Sequence, residues 1–493
     1  MTTIVFRVDA SSTIGAGHVV RCATLARVLS DRGARVLFIC REWPGHFCNW
    51  LSGLGFDVAR LPDDDFDWRR DALLTGEAIR GLGRVDWLIV DHYALDICWE
   101  QLLRSATDVM HLAVIDDLDD REHDCDLLLD QNYSSEGAER YRKHAPSSAS
   151  VLLGPHFALL SPRFAEQRNG VKPRTGTVSR VVVCFGGADP DNFTAAALQA
   201  LAGYANELER IDVVAGRANP HREMLDVMCR QLPNAVLHPP TDSLAALLAD
   251  ADLAIGAGGT MNWERACLGL PALAFGIADN QTPVLDALLE GGYVLGCPRM
   301  HEPDVSVIGA WLACALSSPS LLRGISARSF GLVDGQGVLR VADQLLPAAL
   351  EFQPVTIEDS AELLFWRNHP DIRQASLDAR EIGPEQHESW LARTLADPKR
   401  ILLIARHSGR ALGVVRFDLT LPDALISVYR VPGTLGVRCG LISQASDWLR
   451  RNHPEVRRIV AEVLPTNSAS LAAFTAAGYR GSQNTFVLDM DAP

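Results

Sequence analysis

Positive charge, paired cysteines and long apolar runs are all scarce in this sequence. Its 46 lysines and arginines face 61 aspartates and glutamates, which gives a formal net charge of −15 at pH 7. This balance argues against a protein that binds nucleic acid non-specifically or attaches to an anionic membrane, because both need a basic face. Any phosphate that the protein holds must therefore be bound by local groups.

The cysteines form no recognisable pairing pattern. There are 11 of them, an odd number, and they are scattered from Cys22 to Cys439 without a C-x-x-C pair. Such a distribution is typical of reduced core cysteines in the cytoplasm, and not of a disulfide framework or a zinc site.

A membrane helix and a secretory leader are not expected either. No stretch approaches the roughly 18 consecutive apolar residues that a membrane helix needs. Residues 1–10 predict a strand and lack the basic segment, apolar segment and cleavage site of a leader. The sequence therefore predicts a cytoplasmic protein.

Length and composition indicate several globular domains. With roughly 100 to 200 residues per domain, a chain of 493 residues predicts about three folding units. Apolar residues make up 47% and charged residues 22% of the chain, which is ordinary globular usage. We predict domains over residues 1–165, 178–348 and 352–493.

The first two predicted domains share one pattern, in which short apolar runs alternate with helical stretches. Strands are predicted first at Ile4–Val8, Val36–Cys40, Trp87–Asp91 and Leu112–Asp116. After a polar linker, the pattern restarts at Arg180–Phe185, Ile211–Val214, Leu253–Ile255 and Ala272–Phe275. Such strands indicate parallel sheets covered on both faces. The predicted fold is thus α/β, a two-lobed pair of doubly wound domains with a ligand in the cleft.

The pattern changes after Glu351–Pro354, which we interpret as a domain boundary. Helical stretches near 358–368 and 384–396 precede strands at Ile401–His407, Ala411–Leu419 and Ile426–Val431. Arg458–Val463 then leads to a last helix and a closing strand. The third predicted domain is therefore of the mixed α+β class.

A glycine-bearing loop follows the first predicted strand. Gly15, Gly17 and His18 precede an amphipathic helix whose apolar positions begin at Val19. In one interpretation the glycines let a ligand approach the backbone, and the positive helix end keeps His18 a neutral base. In the other, His18 is a capping or core residue. The loop lacks the third glycine of a dinucleotide fingerprint. The candidate substrate-binding residues here are Gly15, Gly17 and Arg21.

Two glycine turns in the second predicted lobe follow strands and precede helices, at Phe185–Asn192 and Gly256–Thr260. Backbone amides at such turns can hold a diphosphate without a lysine, and neither turn has the spacing of a P-loop. Glu264, one helical turn later, is placed to accept both ribose hydroxyls. Ordinary tight turns are the alternative. The candidate substrate contacts of this lobe are Gly187, Asn192, Gly258, Gly259, Thr260, Glu264, Asn280 and Gln281.

Six motifs in order carry a resemblance to a known family. They are GAGHVVR (15–21), VDHYALDICWE (90–100), VIDDLDDREHDCDLLLDQN (114–132), LLGPHFALLSPRF (152–164), FGGADPDNFT (185–194) and GAGGTMNWERACLGLP (256–271). Over about residues 3–340 the chain resembles the pseudaminic-acid-pathway hydrolase. That family cleaves UDP-2,4-diacetamido-2,4,6-trideoxy-β-L-altropyranose and is similar in fold to GT-B glycosyltransferases.

The resemblance implies roles for particular residues. His18 would be the base for a water that attacks C1 with inversion. Asn192 and Glu264 would bind the nucleotide part, and Tyr93 and Asn280 would line the sugar site. The implied pathway serves flagellin glycosylation. A glycosyltransferase and a UDP-sugar-binding protein without turnover are the alternatives.

An acidic stretch offers a possible metal site. Its carboxylates are Asp116, Asp117, Asp119 and Asp120. Because they follow a predicted strand, we expect a solvated loop, and we predict no metal.

The third predicted domain carries two segments with glycine-bearing turns. Pro432–Gly440 follows a strand and begins a helix, where amides offer a site for the pyrophosphate of coenzyme A. Together with Asn467–Tyr479, FWRNHPDIR (365–373) and EQHESW (385–390), it resembles the GNAT superfamily, and its amino-sugar N-acetyltransferases, over about residues 353–490. The resemblance implies acetyl-CoA as cosubstrate, with contacts from Val431, Gly436, Arg438, Gly440 and Asn467.

Three positions depart from the GNAT pattern. The superfamily usually has arginine or glutamine at Leu435 and glycine at Arg438, whose side chain either obstructs the anion-binding turn or adds charge to it. Phe474 stands where many members have a tyrosine that protonates the leaving thiolate. Impaired acyl transfer, or a domain that binds nothing, is the alternative. If both resemblances hold, N4-acetylation of a UDP-linked 4-amino-4,6-dideoxy sugar would directly precede the hydrolysis.

Overall fold

The computed structural model divides the chain into two compact units, Met1–Ala342 and Asp343–Pro493. It describes residues 2–12, 14–216, 219–239, 244–346, 349–376, 380–407, 409–432, 434, 440–464, 467–482 and 485–490.

The first lobe of the first unit is a doubly wound sheet. Its elements are β1 (Thr3–Val8), α1 (Gly17–Asp31), β2 (Arg35–Arg41), α2 (Cys48–Gly53), β3 (Asp57–Leu61), α3 (Trp68–Arg80), β4 (Val85–Asp91), α4 (Ile97–Ala106), β5 (Val109–Ile115), β6 (Leu127–Asp130), β7 (Ser150–Leu153) and α5 (Pro162–Arg168). The strand order is β3-β2-β1-β4-β5-β6-β7, and the pairs are parallel. The order reverses between β1 and β4, so a crevice opens beyond their carboxyl ends.

The second lobe repeats this design. Its elements are β8 (Arg180–Cys184), α6 (Phe193–Leu201), β9 (Arg210–Val214), α7 (Arg222–Gln231), β10 (Ala235–His238), α8 (Ala245–Asp250), β11 (Leu253–Ala257), α9 (Met261–Cys267), β12 (Ala272–Phe275), α10 (Thr282–Glu290), β13 (Leu295–Cys297), α11 (Val305–Ser317), α12 (Pro319–Leu332) and α13 (Gly337–Leu345). The parallel order β10-β9-β8-β11-β12-β13 reverses between β8 and β11. One predicted glycine turn follows β8 and the other follows β11.

Burial on both faces explains why the strands are apolar throughout. In β8, Val181 and Val183 belong to one buried cluster, whereas Val182 and Cys184 belong to another on the opposite face. Because successive strand residues point to opposite faces, a sheet covered on both sides needs apolar residues at every position.

The stretch predicted to be a linker, Glu166–Ser179, is held closely in the structure. It begins inside α5, and Arg174 donates from Nε to the carbonyl of Gly269 at 3.1 Å. Gly176, with φ +83°, lies so close to Pro319 that a Cβ atom would be 1.9 Å from its carbonyl oxygen. The polar composition therefore reflects side-chain bonds to backbone carbonyls and not a free connector.

The second unit is α+β. Its elements are β14 (Glu351–Pro354), α14 (Ser360–Arg367), α15 (Pro370–Gln374), α16 (Pro384–Ala396), β15 (Arg400–His407), β16 (Arg410–Thr420), β17 (Asp423–Arg430), α17 (Leu441–Asn452), β18 (Arg458–Glu462), α18 (Ser468–Ala476), β19 (Arg480–Ser482) and β20 (Thr485–Asp489). The sheet order is β14-β15-β16-β17-β18-β20-β19. Among the described strand pairs, β17 with β18 is parallel and the others are antiparallel.

The predicted fold class, a two-lobed α/β pair followed by an α+β domain, is confirmed. The prediction missed β3, β6, β7, β10, β13 and β19, which are three to five residues long and lie at or near sheet edges. Short edge strands mix polar and apolar residues and carry little periodic signal. The expected boundary at Glu351–Pro354 is itself the edge strand β14.

Within the described part of the chain, no single helix is both long and apolar enough to cross a membrane. One sharply bent pair, Val305–Ser317 with Pro319–Leu345, meets the length and composition criteria when the two are taken together.

Candidate active site

His18 is the second residue of α1, at the point where the first sheet opens. Gly15, with φ +81°, forms a bridge to Ser11, and this left-handed turn leads the chain into the helix. The N-cap residue of α1 is Ala16, whose side chain makes no capping hydrogen bond. His18 is 9% exposed, so most of its side chain is buried.

Asp91 binds the imidazole of His18. It is the last residue of β4 and is paired in register with Val8 of β1, so the strand reversal brings it beneath α1. The His18 Nδ1 atom lies 2.6 Å from Asp91 Oδ1. A carboxylate only accepts, so we assign the proton to Nδ1, which leaves the Nε2 lone pair unbonded among the described residues. The sequence motif contained Asp91, but nothing in its pattern indicated this contact.

Arg21 lies between two carboxylates. Its Nε and Nη2 atoms donate to Asp91 at 2.7 Å each, and its Nη1 atom lies 2.8 Å from Asp117 Oδ2. Burial works against the charge of Asp91, yet Arg21 and then His18 hold the pKa of Asp91 well below its usual range. Arg21 is 4% exposed. It therefore neutralises a buried carboxylate and has little contact with solvent.

Tyr93 connects the two lobes. Its ring meets that of His18 edge-on, with centroids 4.6 Å apart. The hydroxyl donates to Asp117 Oδ2 at 3.1 Å and accepts from Asn280 Nδ2, in the second lobe, at 3.2 Å. The two residues expected to line the sugar site are thus in direct contact.

The acidic loop after β5 differs from the expectation of a solvated loop. Asp116 is fully buried, pairs with Arg121 and accepts from the Tyr141 hydroxyl at 2.8 Å. Asp117 is also mostly buried, and of the four acidic residues only Asp120 is exposed. The prediction was wrong because residues outside the loop, Tyr141 for Asp116 and Arg21 for Asp117, bind these carboxylates. No group of His, Cys, Asp or Glu in the described ranges is arranged to hold a metal.

The glycine turns of the second lobe face the His18 loop. A Cβ atom on Gly17 would lie 3.8 Å from Oγ1 of Thr260, and one on Gly187 would lie 3.8 Å from Cβ of Ala16. Gly258 lies against a core side chain, since a Cβ there would be 2.1 Å from Cδ1 of Leu285. The two sheet crevices therefore open toward each other, with these turns between them.

Asn192 and Gln281 make contacts within the second lobe. Asn192 has a left-handed backbone and caps α6, because its Oδ1 accepts from the amide of Ala195 at 3.3 Å. Gln281 Oε1 accepts from the amide of Ile277 at 3.1 Å, and its Nε2 faces Gly259, where a Cβ would lie 3.6 Å away. Each side chain keeps amide hydrogens for a ligand.

Glu264 is a carboxylic acid whose Oε2 atom is buried without a hydrogen-bond partner among the described residues. It lies in the first turn of α9. Burial raises its pKa to about 7, although the neighbouring Arg265 acts in the opposite direction. Buried polar atoms are rarely left unsatisfied in native structures, so a ligand hydroxyl is a suitable partner.

In the described part of the second unit, the sheet opens between β17 and β18. The parallel ladder of β17 and β18 ends at Ile426 and Ala461, whereas β17 stays paired with β16 up to Arg430. On the β18 side, the backbone groups of Ser427, Val428 and Tyr429 have no strand partner among the described residues. Such groups can bind an extended ligand.

The five candidate cofactor contacts are placed unevenly. Gly436 and Arg438, together with Leu435, lie outside the described residues. Val431 donates its amide to Leu412 at 3.0 Å and is buried. Gly440 starts α17 with φ +54°. Asn467 caps α18 by accepting from the amide of Ser470 at 3.0 Å.

Phe474 belongs to the core of the second unit. It is 4% exposed, and its ring packs against Tyr479 with centroids 5.0 Å apart. The Tyr479 hydroxyl is within 2.8 Å of Ser446 Oγ, and burial raises the pKa of Tyr479 to about 12. Phe474 has no hydroxyl, and the hydroxyl of Tyr479 is bonded to Ser446. Neither side chain therefore offers a free hydroxyl to protonate a leaving group.

Several known proteins are similar to this chain. The UDP-2,4-diacetamido-2,4,6-trideoxy-beta-L-altropyranose hydrolase of Campylobacter jejuni is 25% identical over 290 residues, which are 59% of this chain and 97% of the relative. The spore coat polysaccharide biosynthesis protein SpsG of Bacillus subtilis is 27% identical over 208 residues, 42% of this chain and 60% of that protein. The chain fits the hydrolase family. A family described as a protein of unknown function (DUF354) matches residues 206–282.

One relative extends beyond the hydrolase part. An uncharacterized protein of Methanocaldococcus jannaschii is 21% identical over 501 aligned residues, covering 98% of both chains. Among solved structures, Acinetobacter baumannii MurG aligns with 70% of this chain and 99% of its own, at 14% identity and a TM-score of 0.49. The aminoglycoside acetyltransferase AAC(6')-Ib, solved with coenzyme A, aligns with 29% and 95% at 18% identity and a TM-score of 0.26.

The hydrolase-like motifs contained most of the residues around the cleft. The carboxylates that hydrogen-bond to His18 and Tyr93 were not predicted as their partners. His18, Tyr93, Thr260 and Asn280 lie where the lobes meet. Asp91 was not singled out, and the Asp117 carboxylate was assigned to a solvated loop. In the sequence, Asp91 ends a predicted strand, but only the strand order shows that this strand lies at the reversal of the sheet, where polar residues face the ligand crevice.

Proposed function

We propose that the first unit hydrolyses a UDP-linked sugar, with His18 as general base. The observation that carries this proposal is the contact of His18 Nδ1 with Asp91 at 2.6 Å. It leaves Nε2 as the basic nitrogen beside the glycine turns of the second lobe. We further propose UDP-2,4-diacetamido-2,4,6-trideoxy-β-L-altropyranose as the substrate, which is supported by the name of the Campylobacter relative.

The proposed reaction needs few groups. Nε2 of His18 removes a proton from water as the water oxygen attacks C1, and the bond from C1 to the diphosphate oxygen breaks. UDP is a good leaving group, so positioning the water and stabilising the diphosphate supply most of the catalysis. A single displacement inverts the configuration at C1.

The second lobe would hold the nucleotide in this scheme. Its turns at Gly187 and at Gly258 to Thr260 lie beside the His18 loop, and backbone amides of such turns suit a diphosphate. The unpartnered carboxyl of Glu264 would accept the ribose hydroxyls. Asn192 and Gln281 would add amide contacts, and Arg21 would act through Asp91.

A glycosyltransferase is the first competing function, since an acceptor hydroxyl can replace water in the same geometry. The deciding experiment incubates the purified protein with the UDP-sugar alone and measures UDP. Hydrolysis predicts UDP and free sugar without any acceptor. Release of UDP only after an acceptor alcohol is added would identify a transferase.

A sugar-binding protein without turnover is the second competitor. It predicts that the UDP-sugar binds but no UDP appears, and that His18→Asn changes nothing. Hydrolysis predicts instead that His18→Asn abolishes UDP release while UDP affinity, measured by calorimetry, stays within a fewfold of the original.

We also propose that the second unit transfers an acetyl group from acetyl-CoA to the 4-amino group of a UDP-linked 4-amino-4,6-dideoxy sugar. The β17 edge at Ser427, Val428 and Tyr429, which has no strand partner on the β18 side among the described residues, is suited to the extended arm of coenzyme A. Since Phe474 supplies no acid, juxtaposition of amine and thioester would supply much of the rate. A thiol-release assay with acetyl-CoA and a panel of UDP-4-amino sugars tests this, and no thiol with any amine would refute it.

The fusion has a chemical reason if the two reactions are consecutive. The proposed domains are 1–165, 178–348 and 352–493. A relative whose alignment covers 98% of both chains supports the proposal that this domain arrangement occurs in more than one protein. Mass spectrometry of products from the UDP-4-amino sugar, with and without acetyl-CoA, tests the sequence of steps. Free diacetamido sugar should form only with acetyl-CoA. A pseudaminic-acid pathway, a cytoplasmic location and a role in flagellin glycosylation are parts of the same proposal.

A further inference from the structure

Asp117 is saturated with hydrogen bonds. Its Oδ1 atom accepts from Arg21 Nη1 and from Asn132 Nδ2, each at 3.0 Å. Its Oδ2 atom lies 2.8 Å from Arg21 Nη1 and accepts from the Tyr93 hydroxyl at 3.1 Å. The Asp117 side chain is 12% exposed. It is thus a largely buried carboxylate whose partners are all donors.

The contact with Asp117 determines the direction of the Tyr93 hydrogen bonds. A carboxylate paired with arginine only accepts, and a phenol has one hydrogen and two lone pairs. The single hydrogen of Tyr93 is therefore committed to Asp117. The lone pairs point elsewhere, and one of them already accepts from Asn280 Nδ2 at 3.2 Å.

Donation of the Tyr93 hydroxyl hydrogen toward the cleft is unfavourable. Rotating the hydroxyl hydrogen toward the cleft would place an oxygen lone pair against the Asp117 carboxylate and leave Oδ2 short of a donor. Burial and then the charge of Asp117 also raise the pKa of Tyr93, so the phenol keeps its proton. Unmade hydrogen bonds to charged groups are costly. Tyr93 therefore faces the cleft as an acceptor.

We propose that Asp117 is a positioning residue that makes Tyr93 a hydrogen-bond acceptor, so that the sugar site selects a substrate with a donor at this point. The inference rests on the proposed function of the first unit. The donor is the N–H of an acylamino group on the sugar. An ester at the same carbon keeps the acyl carbonyl and loses the donor, so the site would discriminate against it.

The test compares amide with ester substrates. The probes are the UDP-2,4-diacetamido sugar and two analogues in which either the 2- or the 4-acetamido group is replaced by O-acetyl. For the wild-type protein we expect kcat/KM to be lower by about fivefold or more with one ester, the value of one neutral hydrogen bond. Tyr93→Phe should bring that ratio close to one.

Asp117→Asn gives a sharper result, because asparagine can donate to the Tyr93 oxygen and free the hydroxyl hydrogen for the ligand. The amide-to-ester ratio should then fall to one or reverse. Asp120→Asn is the matched control, since Asp120 is an exposed acid of the same loop that pairs with Arg121. Its ratio should equal that of the wild type.

Three outcomes overturn the inference. The wild-type protein could hydrolyse both esters with the same kcat/KM as the amide. Alternatively, the amide-to-ester ratio of kcat/KM could stay at its wild-type value in Tyr93→Phe or in folded Asp117→Asn. A purely structural role for Asp117 would lower activity with all three substrates equally. If the wild type releases no UDP from any of them, hydrolysis is refuted. Calorimetric affinities of the same three sugars then test the donor requirement by itself.

Discussion

The Nδ1 atom of His18 lies 2.6 Å from Oδ1 of Asp91, and the same carboxylate accepts two hydrogen bonds from Arg21. The carboxylate orients the imidazole and places the unbonded nitrogen toward the cleft. Arg21 balances the negative charge, so that Asp91 stays ionised in a buried position. The proposed base is thus oriented by a carboxylate that is itself held by a cation.

Replacing Asp91 by Asn tests the orientation of His18. The asparagine amide can donate to Nδ1 and so favour the wrong tautomer. We expect kcat to fall by about a thousandfold or more, by analogy with the same change in serine proteases, whereas KM should change little. Steady-state UDP release measures both. Asp120→Asn serves as the control, and a folded Asp91→Asn enzyme within tenfold of wild-type kcat would contradict the assignment.

Replacing Arg21 by Met should destabilise the first unit. It leaves Asp91 and Asp117 buried without their shared cation, and breaking a buried ion pair costs about 3–5 kcal/mol. Urea unfolding followed by fluorescence measures the loss. Arg142→Met removes an arginine from an exposed pair with Glu139 and should change stability far less. Equal effects of the two substitutions would show that burial does not matter here.

UDP affinity should rise with pH through the titration of Glu264. Burial raises its pKa to about 7, so the acid is largely protonated at pH 6 and ionised at pH 8. Because the carboxylate is the better acceptor for ribose hydroxyls, we expect affinity to increase by about tenfold over this range. Calorimetry at several pH values measures it. Glu264→Gln should bind UDP with a flatter profile, and an unchanged profile would refute the ribose contact.

The same carboxyl should make stability depend on pH. Its folded pKa of about 7 lies above the usual value of 4.5, so the unfolded chain releases this proton at lower pH. The loss of folding stability that comes from ionising buried Glu264 is absent below about pH 4.5 and complete above about pH 7. Without a ligand, Glu264→Gln should therefore gain stability relative to wild type at pH 8 but not at pH 4.5. Thermal unfolding at the two pH values provides the comparison.

Neighbouring glycines should respond differently to alanine. A Cβ at Gly258 would lie 2.1 Å from Leu285 Cδ1, whereas one at Gly259 would lie 3.6 Å from Gln281 Nε2. We expect Gly258→Ala to lose about 1–3 kcal/mol through overpacking and to weaken UDP binding. Gly259→Ala should be nearly neutral in stability. Unfolding and UDP titration of both variants check this, and the reverse order would contradict the packing of this turn.

Introducing a tyrosine at Phe474 should not improve acetyl transfer. The ring is buried against Tyr479 and Phe486, so an added hydroxyl would be buried without a partner at a cost of about 1–3 kcal/mol. We expect lower stability of the second unit and no rise in the rate of thiol release. A tenfold increase in that rate would show that this position reaches the thioester.

Much of the fold could be predicted because it rests on local patterns. The strand at Ile4–Val8 and the two glycine turns have apolar runs and turn residues that report their structure directly. The edge strand Ala235–His238 was missed because only a few residues pair there. The acidic loop was misjudged because Tyr141, which bonds to Asp116, and Arg21, which pairs with Asp117, come from other parts of the chain.

The sequence by itself determined the α/β and α+β classes, the parallel sheets, the glycine loops and the position of His18 at a helix start. These follow from residue periodicity and from turn chemistry, which act over a few neighbours. The tertiary structure decided which groups surround His18. Asp91 is 73 residues away from it and Asn280 is 187 residues from Tyr93, so only the strand order and the facing of the lobes bring them together. Burial then raises the pKa of Glu264, an effect that no local pattern contains.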